Sequence, residues 1–185
     1  MRLFIALPLP DKARTLLGRM ISQFRPLSNS VKWVEADIIH LTVKFLGETG
    51  PELMEPIKRA LDRVGPNYKA IACDIDRPGA FPNLKRPRVF WAGLTGELET
   101  LANLAKHVDL EMNALGFEKE SRPFKAHLTL GRVKQEGRMD ELCRTVETFR
   151  LTPEPVSFSE IVLFQSTLTP HGPIYESLHR VSLGS

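Results

Sequence analysis

The residues Leu3 to Leu7 form a short unbroken apolar run, and from Asp11 the pattern changes to Ala13, Leu16, Leu17, Met20, Ile21 and Phe24, spaced by three and four. The run predicts a buried strand and the spaced pattern an amphipathic helix. The same pair recurs. Val89-Phe90-Trp91-Ala92-Gly93-Leu94 reads as a strand, and Leu98, Leu101, Leu104, Ala105, Val108, Met112 and Leu115 read as a helix stopped by Gly116 in a C-cap position. Each opening leads to one tetrapeptide pattern, His40-Leu41-Thr42-Val43 and His127-Leu128-Thr129-Leu130. His40 lies 36 positions after Phe4, and His127 lies 37 after Phe90. A second helix follows each motif. Leu53, Met54, Ile57, Leu61 and Val64, ending at Gly65, mark one, and Leu142, Cys143, Val146 and Phe149 mark the other. Strands are expected next, from Tyr68 to Ile75 and from Val156 to Phe164.

The chain therefore reads as a single two-lobed domain over 1–185, built from half-repeats of about 1–75 and 88–165 with a C-terminal strand segment at 174–182. The stretch from Asp76 to Pro87, with Pro78, Gly79 and Pro82, is expected to be a connecting loop. No strand is followed by G-x-G-x-x-G or G-x-x-x-x-G-K-[ST], which removes a doubly wound nucleotide fold. The expected class is α+β, with two antiparallel sheets related by an approximate two-fold axis.

On a regular strand, positions i and i+2 share a face. His40 and Thr42 then point one way while Leu41 and Val43 point to the core; His127 and Thr129 pair in the same manner against Leu128 and Leu130. If the two-fold brings the polar faces together, two imidazoles and two hydroxyls share a cleft. That set suits attack on a phosphodiester. One neutral imidazole can take a proton while the other, protonated, gives one, and hydroxyls can donate to phosphoryl oxygens. A free histidine titrates near 6.5, so both states are available near neutrality. A lone His-x-Thr is most often structural; two copies in matching contexts favour a paired site.

With 42% hydrophobic and 25% charged residues among 185, the chain can bury a substantial core, which excludes disorder and coiled coil. Its net charge of +3 suits an anionic ligand without establishing nucleic-acid binding. Cys73 and Cys143 read as buried free thiols in a reducing cytoplasm. Pro8, Pro10 and Asp11 interrupt the N-terminal apolar run, so it does not read as a signal peptide, and no run is long enough to span a membrane. Two histidines so far apart, without an acidic or cysteine partner on the same face, leave a metal short of ligands. Neither a metal nor a cofactor is expected.

The chain resembles the two-histidine (2H) phosphoesterases and, more narrowly, the LigT-like RNA 2′,3′-cyclic phosphodiesterases, also described as 2′-5′ RNA ligases. The likeness spans nearly the whole length: Leu3-Phe4-Ile5-Ala6 with Pro10, His40 through Glu48, Phe81-Pro82-Asn83, Trp91-Ala92-Gly93, Arg122 through Arg132, Ser166 and Gly172 through Tyr175. Val43 stands where Leu is commoner in the family, on the core-facing side. The resemblance implies a two-lobed fold with helices outside a central cleft, and metal-independent hydrolysis of an RNA 2′,3′-cyclic phosphate to a 2′-phosphomonoester. It implies His40 as proton donor, His127 as proton acceptor, and Thr42 and Thr129 as phosphate ligands. The implied substrates are cyclic-phosphate RNA ends, tRNA fragments among them, for a cytoplasmic monomer.

Lys44 falls on the His40 face of a regular strand and is expected to meet a phosphate or solvent. Arg132 and Arg122 can bind the RNA backbone, although regular-strand parity puts both opposite His127 and favours bracing. Arg77, Lys85, Arg86 and Arg88 with Phe81 can contact phosphates and a base, or form an ordinary exposed loop. His107, His171 and His179 look incidental. Competing functions are hydrolysis of small cyclic phosphates or 2′-5′ linked oligonucleotides, reversible 2′-5′ ligation, and simple RNA binding.

Overall fold

The computed structural model of the protein describes residues 1–184. Its strands are β1 (Arg2–Pro8), β2 (Val31–Trp33), β3 (His40–Glu48), β4 (Ile71–Phe81), β5 (Val89–Gly96), β6 (His127–Val133), β7 (Glu154–Phe158), β8 (Glu160–Thr169) and β9 (Gly172–Ser182). The α-helices are α1 (Asp11–Phe24), α2 (Met54–Val64), α3 (Leu98–Ala114) and α4 (Asp140–Thr148). One sheet has the order β3-β1-β8-β9 and the other β2-β6-β5-β4-β7; every neighbouring pair is antiparallel.

The helices form where the three-and-four spacing placed them. α1 buries Ala13, Leu17, Met20, Ile21 and Phe24, and α3 buries Leu101, Leu104, Ala105, Val108 and Met112. α1 packs beside α4, and α2 beside α3. The end of α3 is a Schellman motif. Gly116 has φ +96°, its N–H donates to the Asn113 carbonyl, and the Phe117 N–H donates to that of Met112. Gly65 has another role. Its φ is −51°, so it is not a left-handed cap; a Cβ there would lie 2.4 Å from Val181 Cγ1, and glycine lets the end of α2 approach β9.

Two expectations about strands are corrected. β4 continues to Phe81, so residues 76–81 are strand, and only the turn from Pro82 to Arg88 connects it to β5. The segment from Val156 to Phe164 is two strands, broken at Ser159; β7 joins the second sheet and β8 the first. The sequence halves therefore do not coincide with the sheets. β4 closes the first half but pairs with β5, and β8 closes the second half but pairs with β1. The first sheet thus takes β8 from the second half, and the second sheet takes both β2 and β4 from the first. Cys73 is buried and Cys143 half-buried, both free. Among the described residues no helix is long and apolar enough to cross a membrane.

Candidate active site

The motif strands pair alike. On β1, Pro8 lies opposite His40 and Ala6 opposite Thr42; on β5, Gly93 lies opposite His127 and Trp91 opposite Thr129. Both ladders then skip a residue. Ile5 faces Lys44, leaving Val43 extra, and Phe90 faces Gly131, leaving Leu130 extra. Each motif thus ends in a β-bulge, where two residues oppose one and the side-chain alternation reverses. Before the bulge Leu41 and Leu128 are buried while His40, Thr42, His127 and Thr129 are half-buried. Past it, Lys44 turns inward and Phe45 outward; Gly131 turns inward and Arg132 outward.

The bulges decide the fate of two candidates. Lys44 does not share the His40 face. It is only 3% exposed, and its Nζ donates to Asp109 Oδ1 at 2.7 Å and to the Glu118 carbonyl at 2.9 Å. Its charge is spent on α3 and on the segment after it. The bulge returns Arg132, by contrast, to the face of His127 and Thr129, correcting the bracing role that regular parity favoured. The guanidinium lies near enough to help lower His127 and to oppose the rise that burial imposes on Tyr175, which belongs to the other sheet. Arg132 therefore stands between the two lobes. β3 and β6 themselves approach within 8 Å between Cα atoms.

Both imidazoles are held in the same way. His40 Nδ1 lies 2.9 Å from the Ile38 carbonyl, and His127 Nδ1 lies 2.7 Å from that of Lys125. A carbonyl only accepts, so Nδ1 carries the hydrogen and the neutral ring keeps its lone pair on Nε2. Rings surround the pair. Phe4 is 4.9 Å and Tyr175 5.4 Å from His40, and Phe81 meets His127 edge-on at 5.0 Å, all between centroids. Burial lowers His40 below the ordinary histidine value, against the Ile38 hydrogen bond. Burial also lowers His127, aided by Arg132 and against the Lys125 hydrogen bond. A cavity of about 360 Å³ opens beside His40, lined in part by Arg14, Phe164, Tyr175 and Arg180.

Tyr175, Phe4 and Phe164 escaped the residue-by-residue reading because nothing local joins β1, β8 and β9 before the sheet order is known. Phe81 lies in β4 beside His127 and Trp91. The remaining basic residues of that stretch, Arg77, Lys85, Arg86 and Arg88, are exposed. Arg122 is exposed in the lead-in to β6. His179 bonds Asp62 at 2.7 Å, and His107 lies 3.3 Å from the Tyr68 hydroxyl, both away from the motifs. Among the described residues no three His, Cys, Asp or Glu side chains group so as to hold a metal ion.

The family pattern described as LigT like Phosphoesterase matches residues 7–91 and 94–175. This chain belongs to the LigT-like phosphoesterase family. It is similar to the RNA 2′,3′-cyclic phosphodiesterases of Archaeoglobus fulgidus (37% identical, covering 96% of this chain and 98% of that protein) and Methanocaldococcus jannaschii (36%, covering 95% and 97%). Among solved LigT-like structures it superposes on TT0787 of Thermus thermophilus with a TM-score of 0.81 at 28% identity, covering 99% of this chain and 98% of that one. E. coli LigT complexed with 3′-AMP gives 0.79 at 25% identity, covering 100% and 98%. The two-sheet LigT-like fold expected from the motifs is the one found.

Proposed function

We propose that the protein hydrolyses terminal 2′,3′-cyclic phosphates of RNA to 2′-phosphomonoesters, without a metal. The observation that carries this reading is the matched pair of imidazoles, each held through Nδ1 on a carbonyl two residues earlier and each leaving Nε2 free beside a threonine. His127 Nε2 takes a proton from water as the water oxygen bonds to phosphorus. The P–O3′ bond breaks, and His40 Nε2–H protonates the departing oxygen. Thr42 and Thr129 donate to the non-bridging oxygens, where negative charge gathers, and Arg132 adds a fixed positive charge between the lobes. The order of acid and base follows the family likeness.

Burial favours the neutral form of both rings in the free protein. An acid must nevertheless carry a proton. The phosphodiester anion supplies the reason, since a negative charge beside His40 favours the imidazolium. One chain holds both histidines, so a monomer suffices. Cyclic-phosphate ends of RNA in the cytoplasm, tRNA fragments included, are the substrates proposed; the names of the archaeal relatives support the RNA end.

The test is turnover of a cyclic-phosphate-ended oligonucleotide in excess chelator by wild type, His40→Ala and His127→Ala. Wild type is expected to stay active, each variant to lose on the order of 10²–10⁴-fold, and the product to carry a 2′-phosphate. Chelator-sensitive turnover, full activity in both variants, or a 3′-phosphate product would refute it.

A further inference from the structure

Lys32 pairs with Arg132 across β2 and β6, between the Val31–Val133 and Trp33–Gly131 pairs. Val31 is buried, Trp33 packs against Phe24 and Phe90, and a Cβ on Gly131 would strike both Trp33 and Val31. These residues face the core. Lys32 and Arg132 therefore project from the opposite face, which the bulge at Leu130 makes the face of His127 and Thr129. Both are exposed. Among the described residues neither enters an ion pair.

Like charges directly opposite on neighbouring strands oppose pairing. A local rule broken beside a functional cleft, with no carboxylate to relieve it, calls for a compensating group from outside. A chain of phosphates lying across the two cations is such a group. We propose that Lys32 is the phosphate-binding residue of a second subsite, taking the internal phosphodiester next to the cyclic end, so that the RNA strand leaves the Thr129 side of the cleft over Arg132 and onto β2. Lysine suits the task, being a flexible point charge that accepts a phosphate without a fixed approach. A mononucleotide cyclic phosphate has no internal phosphodiester and leaves Lys32 idle.

The inference rests on the RNA reading of the site, and its test separates the two. Lys32→Gln and wild type are compared on 2′,3′-cyclic AMP and on a short oligoribonucleotide with a 2′,3′-cyclic phosphate end. In parallel, binding of the same oligomer ending in a 2′-phosphate is measured against salt. The substitution is expected to lower kcat/KM on the oligomer about tenfold at low salt and to reduce the salt slope of oligomer binding by about one, leaving turnover of the mononucleotide unchanged. Equal losses on both substrates, or an unaltered salt slope, would overturn the subsite. If wild type turns over neither substrate the phosphodiesterase reading fails, and the binding slope still decides Lys32.

Discussion

Replacing Lys44 by methionine leaves a carboxylate in the protein interior without its counter-ion. Lys44 and Asp109 are 3% and 7% exposed, and the ammonium serves two acceptors within 2.9 Å, Asp109 Oδ1 and the Glu118 carbonyl. After the substitution Asp109 keeps only the Glu120 N–H at 3.1 Å. Glu120 Oε1, 3.8 Å from the ammonium, sits at the surface and adds little. Breaking a buried pair by deleting one partner costs about 3–5 kcal/mol, which for a chain of this size corresponds to a Tm loss on the order of 10 °C. Replacing both partners by apolar residues of similar volume removes the stranded charge, so K44M/D109L is expected to recover most of that loss.

The pH dependence has a definite sign. Burial alone would raise the Asp109 carboxyl, but the Lys44 ammonium and the Glu120 N–H hold it below the usual carboxylate range. The wild-type gain is therefore complete above about pH 4, the unfolded value, and fades as pH falls through the lower folded value. In K44M the carboxyl rises, and the gap to wild type narrows in acid. Urea denaturation of the three proteins at pH 7 and at pH 4 measures this. A K44M loss under about 1 kcal/mol, or a double variant as unstable as the single, would refute the buried-pair reasoning.

Two other outcomes are expected. Because burial lowers both His40 and His127, the limbs of the kcat/KM profile, which report the free enzyme, should both lie below about 6.5, giving an optimum on the acid side of that value; a plateau reaching pH 8 in a stopped-flow or discontinuous assay would contradict it. Gly65→Ala drives a Cβ into Val181 Cγ1 and should cost about 1–3 kcal/mol by calorimetry, partly relieved in G65A/V181A; a stabilised G65A would show that the contact relaxes freely.

The helices were readable because their periodicity is a local property: α1 and α3 bury most of the residues their spacing selected, with Leu16 and Leu115 half-buried and Leu98 exposed at the start of α3, and Gly116 caps α3 as its position implied. The motif histidines were readable for another reason, their repetition. Strand limits failed where partners decide them. β4 runs on through Pro78 because β5 pairs with it as far as Phe81, and the break at Ser159 follows from β7 and β8 joining different sheets. The spacings of 36 and 37 also matched the wrong pair. By register Phe4 faces Phe45 and Val89 faces Arg132, so Phe4 corresponds to Val89, not Phe90.

The bulges at Val43 and Leu130 carry the most consequence for the cleft. A bulge is two residues set against one, so it exists only once the partner strand is in place, and no parity rule applied to one strand can find it. Each reverses the alternation two residues beyond its threonine. In one lobe this sends Lys44 inward to Asp109 and presents Phe45, 62% exposed; in the other it sends Gly131 inward and presents Arg132. The backbones repeat while the side chains differ: the post-bulge position adds a ring to a wall that also carries Arg14 and Arg180, and a cation to a wall that also carries Phe81 and Trp91.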